Sequence, residues 1–289
     1  MSSRRLLAVA VIAGVFVAGV GFSAGATTYG MFSDSATGSG SIQAADTFDG
    51  SPPGGDAWDD KDGDGFYDSD ESTYSEEQLY EFNDPSANLV IPDGMGKVKA
   101  KNDGVSITAG DINSKVTIES GTGPVSLTAT QGDVTVTGSK VKSKNSAVTV
   151  IANETLNIAD TTIDANDAID LSADQISAQR SDIKSKNGNV ILSATDGDLL
   201  LDSATVEGPT GNIEFESNGD MSLASATLKT KQGGMITANL TTKTGTLFVD
   251  NTDIRDSDDR LIYEPDITLS GTPTKGCVEH SDGNTVRCG

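Results

Sequence analysis

Five consecutive segments decide the reading: DVTVTGSKVKSKNSAVTVIANE (133–154), TLNIADTTIDANDAIDLSADQ (155–175), ISAQRSDIKSKNGNVILSATDG (176–197), DLLLDSATVEGPTGNIEFESNG (198–219) and DMSLASATLKTKQGGMITAN (220–239). Aligned, they form a repeat of about 22 residues with five apolar columns in step. The first column holds Val134, Leu156, Ile176, Leu199 and Met221, and the second, two residues on, holds Val136, Ile158, Ala178, Leu201 and Leu223. Val141, Ile163, Ile183, Val206 and Leu228 form the third. A closing pair follows, as in Val190 with Leu192 and Ile213 with Phe215.

Within each unit these residues alternate with Thr, Ser, Asp or Asn, a period of two that belongs to short half-buried strands. Turn signals such as Asp196-Gly197-Asp198 and Asn218-Gly219-Asp220 separate them. One such coil cannot bury its apolar side chains alone, whereas stacked coils turn the columns into continuous internal ladders. The sequence therefore predicts an all-β fold, a right-handed parallel β-helix over residues 97–272. Weaker copies at both ends bring the total to about seven coils. Neighbouring strands about 4.8 Å apart give a stack roughly 30–35 Å long.

The pattern AGDINS, VSLTATQGDVTV and NVILSATDGDLLLDSATV resembles the repeats of filamentous-haemagglutinin-type adhesins, β-helices displayed outside the cell. The matching positions are those that form the fold. The resemblance thus implies architecture first and adhesion second.

Composition narrows the function. The 289 residues carry a formal charge of −23 and only 5% aromatic residues. Removing residues 1–30, which contain Arg4, Arg5 and no acid, leaves −25. Nucleic acid is excluded as a favoured partner. A charge of this size is self-repelling in dilute salt and screened within a few ångströms in molar salt, which predicts a halophilic, haloarchaeal source.

Residues 1–30 begin with Arg4-Arg5 and continue as an apolar run ending in small residues, an export signal. Leu6 to Ala26 is also about the length that spans a bilayer, so an uncleaved segment would be the chain's membrane contact. Thr28-Tyr29-Gly30-Met31-Phe32-Ser33-Asp34 resembles the start of SipW-dependent signal-peptide proteins, the camelysin and TasA class. That resemblance implies cleavage near Gly30 and Met31 and self-association into fibres through the N-terminal segment. Residues 31–55, rich in Gly, Ser, Ala and Pro, read as a flexible linker.

The sharpest local motif lies in residues 56–96. Asp60, Asp62, Asp64, Phe66, Asp68 and Glu71 occupy positions 1, 3, 5, 7, 9 and 12 of a twelve-residue calcium loop, with Gly65 at position 6. Alternate residues turn oxygens inward, Phe66 contributes its carbonyl, and Glu71 can close the shell with two oxygens. After the loop, Ser75 followed by Glu76 and Glu77 predicts a short capped helix presenting Leu79, Tyr80 and Phe82. Pro52-Pro53-Gly54-Gly55 precludes a helix before it, so the reading is a structural Ca²⁺ clip. With Leu89-Val90-Ile91 it would cover the first coil.

Cys277 and Cys288 bracket Asp282-Gly283-Asn284, predicting a disulfide-closed hairpin cap over residues 273–289. A metal site formed by both cysteines and His280 is the lesser alternative. Asn153 and Asn239 head glycosylation sequons, placed at coil corners. Together these features predict a non-enzymatic, exported or cell-surface structural protein of adhesin-like type, with a cell-surface or matrix polymer as a candidate ligand. The alternative is a polysaccharide lyase or glycosidase on a β-helix scaffold.

Overall fold

The structure is a computed structural model and describes residues 51–289 apart from 53, 232–233, 242–244, 257 and 265–266. The export segment, the cleavage position near Gly30 and Met31, and most of the linker lie outside the described residues.

The body is a parallel β-solenoid whose turns each contribute three short strands. Two of the three join a 20-stranded sheet and the third joins an eight-stranded sheet. One complete turn shows the order: Val190–Ala194 on the first face, Leu199–Leu200 on the second and Thr205–Gly208 on the third. The steps between turns are parallel and, beyond the first, in register, with Ile176 on Leu199 and Leu199 on Met221, Ile183 on Val206, and Leu192 on Phe215. The five apolar columns are thus five physical ladders, and their members are buried.

Three kinds of corner follow from sequence. Between the second and third faces, Gly138, Asp160, Arg180, Ser203, Ser225 and Asn251 occupy one column, all with φ between 56° and 64°. This left-handed corner favours short polar residues or Gly. Arg180 is the exception, and its guanidinium lies bidentate on Asp160 of the turn before, at 2.6 and 2.7 Å. Between the third and first faces a buried hydroxyl column satisfies corner carbonyls: Ser120 on Gly123 at 2.6 Å, Ser143 on Gly123 at 2.9 Å and Ser185 on Gly188 at 2.8 Å. Only small side chains fit there. At the corner from first to second face, Asp side chains accept the next turn's backbone N–H, as in Asp133 N to Asp111 Oδ1 at 2.8 Å and Asp220 N to Asp198 Oδ1 at 2.7 Å.

The eight strands of the third face mark about eight turns, against seven expected. The additional turn is N-terminal. Glu81–Ile91 pairs in parallel with Val105–Ser114, so Leu89-Val90-Ile91 belongs to the first turn itself. Its register slips between Asp84 and Asn88, around Pro85, which hides the periodicity. Two other expectations are corrected. The predicted helix is a five-residue 3-10 segment, Glu76–Tyr80, and Phe82 lies in the following strand. Asn239 stands outward within the strand Ile236–Leu240, not at a corner, whereas Asn153 does occupy one.

Both ends of the stack are covered. At the first turn, Lys99 N donates to Glu76 Oε1 at 2.8 Å and Tyr80 OH donates to Lys99 O at 3.0 Å, so the 3-10 segment covers the middle of the open edge of the third face. Leu79 is buried beneath it. At the last turn, Cys277–His280 pairs in parallel with Arg260–Tyr263 and antiparallel with Thr285–Cys288. The Cys277–Cys288 disulfide closes this hairpin. Both sulfurs are therefore committed and leave no thiolate to join His280 on a metal. Solenoid ends need such covers, since an open edge pairs with other chains.

Candidate metal centre

The twelve-residue loop is held by strands at its base. Ala57–Asp59 pairs antiparallel with Thr73–Tyr74, Ala57 facing Tyr74 and Trp58 facing Thr73. The same strand pairs antiparallel with Leu89 and Val90 of the first solenoid turn. Two further bonds bracket the loop entrance, Asp60 N to Asn88 O at 2.8 Å and Asn88 N to Asp59 Oδ1 at 2.9 Å. The loop is thus fixed to the end of the stack rather than carried between two helices.

Inside it, two carboxylates organise the backbone. Asp60 Oδ1 accepts the N–H of Gly63 at 2.9 Å and of Asp64 at 3.2 Å, and Asp60 Oδ2 accepts that of Gly65 at 2.9 Å. Gly63 and Gly65 take φ of 73° and 80°, the conformation that lets successive N–H groups turn to one carboxylate. Glu71 spans the closing end, Oε1 accepting from Lys61 N at 2.8 Å and Oε2 from Asp68 N at 2.9 Å. Trp58 meets Tyr67 edge-on with centroids 6.4 Å apart, packing the loop against its base.

Carboxylate oxygens of Asp60, Asp62 and Glu71 lie within 4.8 Å of one another. Asp60 and Glu71 are buried, while the intervening residues are exposed or half-exposed. Asp64 and Asp68 do not join this trio. Asp64 Oδ1 instead accepts Phe66 N at 2.8 Å. Phe66 turns its ring to solvent, 57% exposed, as suits a position that would contribute through its carbonyl. The only basic residue in the loop, Lys61, directs its ammonium to Asp70 O at 3.0 Å and so forms no ion pair with the trio. A converging set of hard carboxylate oxygens without a neutralising cation fits Ca²⁺ chemistry and not a softer metal.

Sequence reasoning missed the ion-pair ladder on the third face. Glu119 takes Lys99 at 3.4 Å and Lys144 at 2.5 Å, Asp164 takes Lys142 at 2.6 Å and Lys140 at 3.7 Å, and Glu207 takes Lys184 at 2.8 Å and Lys229 at 2.6 Å. Hydrogen bonds from Lys144 hold the Glu119 carboxyl below its usual range, and those from Lys184 and then Lys229 do the same for Glu207. The signal was present as an acid in the middle of every second third-face strand.

The fold defines a class, the parallel β-solenoids built on short repeats. Within it, residues 94–172 are similar to the family described as the hemagglutinin repeat. This span covers the strand Lys97–Ala100 and the turns stacked on it, ending within Ile169–Ala173. No curated protein and no solved structure matches the chain.

Proposed function

We propose that this protein is an exported, surface-displayed β-solenoid of adhesin-like type, whose N-terminal end is clipped by a calcium ion in the Asp60–Glu71 loop. The observation that carries it is the joining of two features: hemagglutinin-type repeats in a regular solenoid, and a calcium-loop spacing whose Asp60, Asp62 and Glu71 converge at the end of that solenoid. The role is non-catalytic. Its faces are rows of polar and charged side chains repeated from turn to turn, suited to presenting a surface rather than enclosing a substrate.

Asp60, Asp62 and Glu71 would hold the ion, with Asp64, Asp68 and the Phe66 carbonyl as the remaining places of the loop pattern. Bound calcium would supply positive charge between carboxylates that otherwise repel. This chain's own contribution is to fix the loop: Asp60 and Glu71 already hold five of its backbone N–H groups. Because Asp60 N and Asp59 Oδ1 bond to Asn88, order in the loop passes directly to the first turn.

The deciding experiment labels the protein on intact cells of its native host with a membrane-impermeant reagent, and scores attachment of cells with and without the gene. Labelling of intact cells and weaker attachment without the gene are expected. Labelling only after lysis would overturn the reading.

A further inference from the structure

The third face carries a second periodicity, twice the length of the structural repeat. Its strands with the following residue read KVKAK (97–101), KVKSK (140–144), DIKSK (182–186) and TLKTK (227–231) on alternate turns. Between them stand TIESG (117–121), TIDAN (162–166) and TVEGP (205–209). The middle column alternates in sign from Lys99 to Lys229, with Lys99 on Glu119, Lys142 on Asp164 and Lys184 on Glu207 among its register pairs, and only its last step sets Lys229 on Arg255. Each lysine of that column is ion-paired to an acid of the same column, so the column reads as internal stabilisation.

The last column does not. It holds Lys101, Lys144, Lys186 and Lys231, separated by Gly121, Asn166 and Pro209, and contains no carboxylate. Lys101, Lys186 and Lys231 are exposed and form no ion pair among the described residues. The lysines of this column recur every second turn, about 10 Å apart, and of the four only Lys144 is spent on an ion pair among the described residues, with Glu119. Between Lys184, Lys229, Lys231 and Arg255 the face opens into a cleft of about 380 Å³ with Glu207 as its single carboxylate. All this stands on a chain of charge −23.

Acids also form one unbroken row. Asp111, Asp133, Glu154, Asp174, Asp198 and Asp220 occupy the corner from first to second face in successive turns. Among the described residues, no Lys or Arg stands in that corner from Asp84 to Asp220. Each coil passes this corner, the second face, the third face and then the lysine column before it re-enters the first face, so the acidic ridge and the lysine column run along the two edges of the first face.

We infer that the lysine-bearing third face of one copy docks along the acidic corner ridge of a second copy, building an open-ended lateral array. Both arrays are spaced by the same strand separation, an acid every turn against a lysine every second turn, so they stay in step over the whole contact. A flexible polyanion would have to be ordered to achieve the same match. The contact uses different patches on the two partners and is heterologous, so it propagates instead of closing. It does not depend on the calcium loop or on export.

The test is sedimentation velocity of the full-length protein at fixed calcium, in dilute and in half-molar salt, with two variants. One is Lys101→Glu with Lys186→Glu and Lys231→Glu. The other is Glu154→Lys with Asp196→Lys; Asp196 is exposed in the same corner as Asp198, and neither side chain forms a hydrogen bond among the described residues. Wild-type protein should associate with rising concentration and lose association in the higher salt. Each variant alone should associate at least about tenfold more weakly, with unchanged melting temperature showing that it is folded. An equimolar mixture of the two should recover association, because each supplies the charge the other has lost. A wild-type protein that stays monomeric in dilute salt, or variants that associate as well as wild type, would overturn the inference. So would wild-type monomers that bind alginate through the third face, since that face would then serve a soluble polyanion.

Discussion

Asp60 and Glu71, the first and last residues of the twelve-residue loop, are its buried acids, and their carboxylates converge with Asp62 within 4.8 Å. Three carboxylates gathered around one point repel unless a cation sits among them. Removing calcium should therefore lower the melting temperature by about 5–10 °C, the effect of a ligand present at about a hundred times its dissociation constant on a domain of this size. Glu71→Gln should melt at the chelated value and respond to neither calcium nor chelator. Calorimetry with and without excess chelator checks both. An equal response in variant and wild type would remove calcium from this loop.

The ladders give a second expectation. Leu199 is buried between Ile176 and Met221 in the middle of the stack. Leu199→Ala should cost about 2–5 kcal/mol, because neighbouring turns are held in register on both sides and cannot collapse into the void. Hydrogen exchange should place the loss in the flanking turns before the ends, as nearest-neighbour coupling requires. Urea titration of the variant, followed by exchange mass spectrometry, reads both quantities.

The core ladders were legible because burial alternates with a strict period of two, so Val134 and Val136 announce a strand whatever surrounds them. The first turn was not, because Pro85 forces a register slip and breaks the spacing from Leu89 to the next unit. Ser75 and Gln78 do form a capping box, yet the segment ends after one turn of 3-10 helix, since Glu81 already pairs with Ser106. Tertiary pairing overrode the local helix signal. In the twelve-residue loop the spacing marks six positions, while the convergence of Asp60, Asp62 and Glu71 without Asp64 or Asp68 is set by backbone turns that spacing does not encode. The charge alternation of the third face escaped because outward residues leave no trace in the apolar period.

Acid should loosen the third face. Glu119 and Glu207 have carboxyls held below their ordinary range by paired lysines, so each contributes stability that is full above the unfolded carboxylate value, about pH 4.3. That contribution is lost as pH falls through the lower folded value. Melting temperature should hence decline below about pH 4, and Glu207→Gln should decline less steeply while starting lower. Thermal scans between neutral and strongly acidic pH check the slope, and parallel curves for variant and wild type would contradict it.

The last turn supplies the remaining prediction. Cys277 faces Cys288 across the hairpin with Cα atoms 4.1 Å apart, and Cys277–His280 is also the final parallel strand over Arg260–Tyr263. Tyr263 and Val278 are buried beneath it. Reduction should release Thr285–Cys288 and destabilise the C-terminal turns by about 3 kcal/mol, the chain-entropy value for a loop of this length. The freed edge of Cys277–His280 would then present unpaired backbone groups to other chains. Reduced protein, or Cys277→Ser with Cys288→Ser, should accordingly exchange faster over residues 260–289 and aggregate on mild heating while the N-terminal turns stay protected. Uniform protection after reduction would show that the hairpin holds without its disulfide.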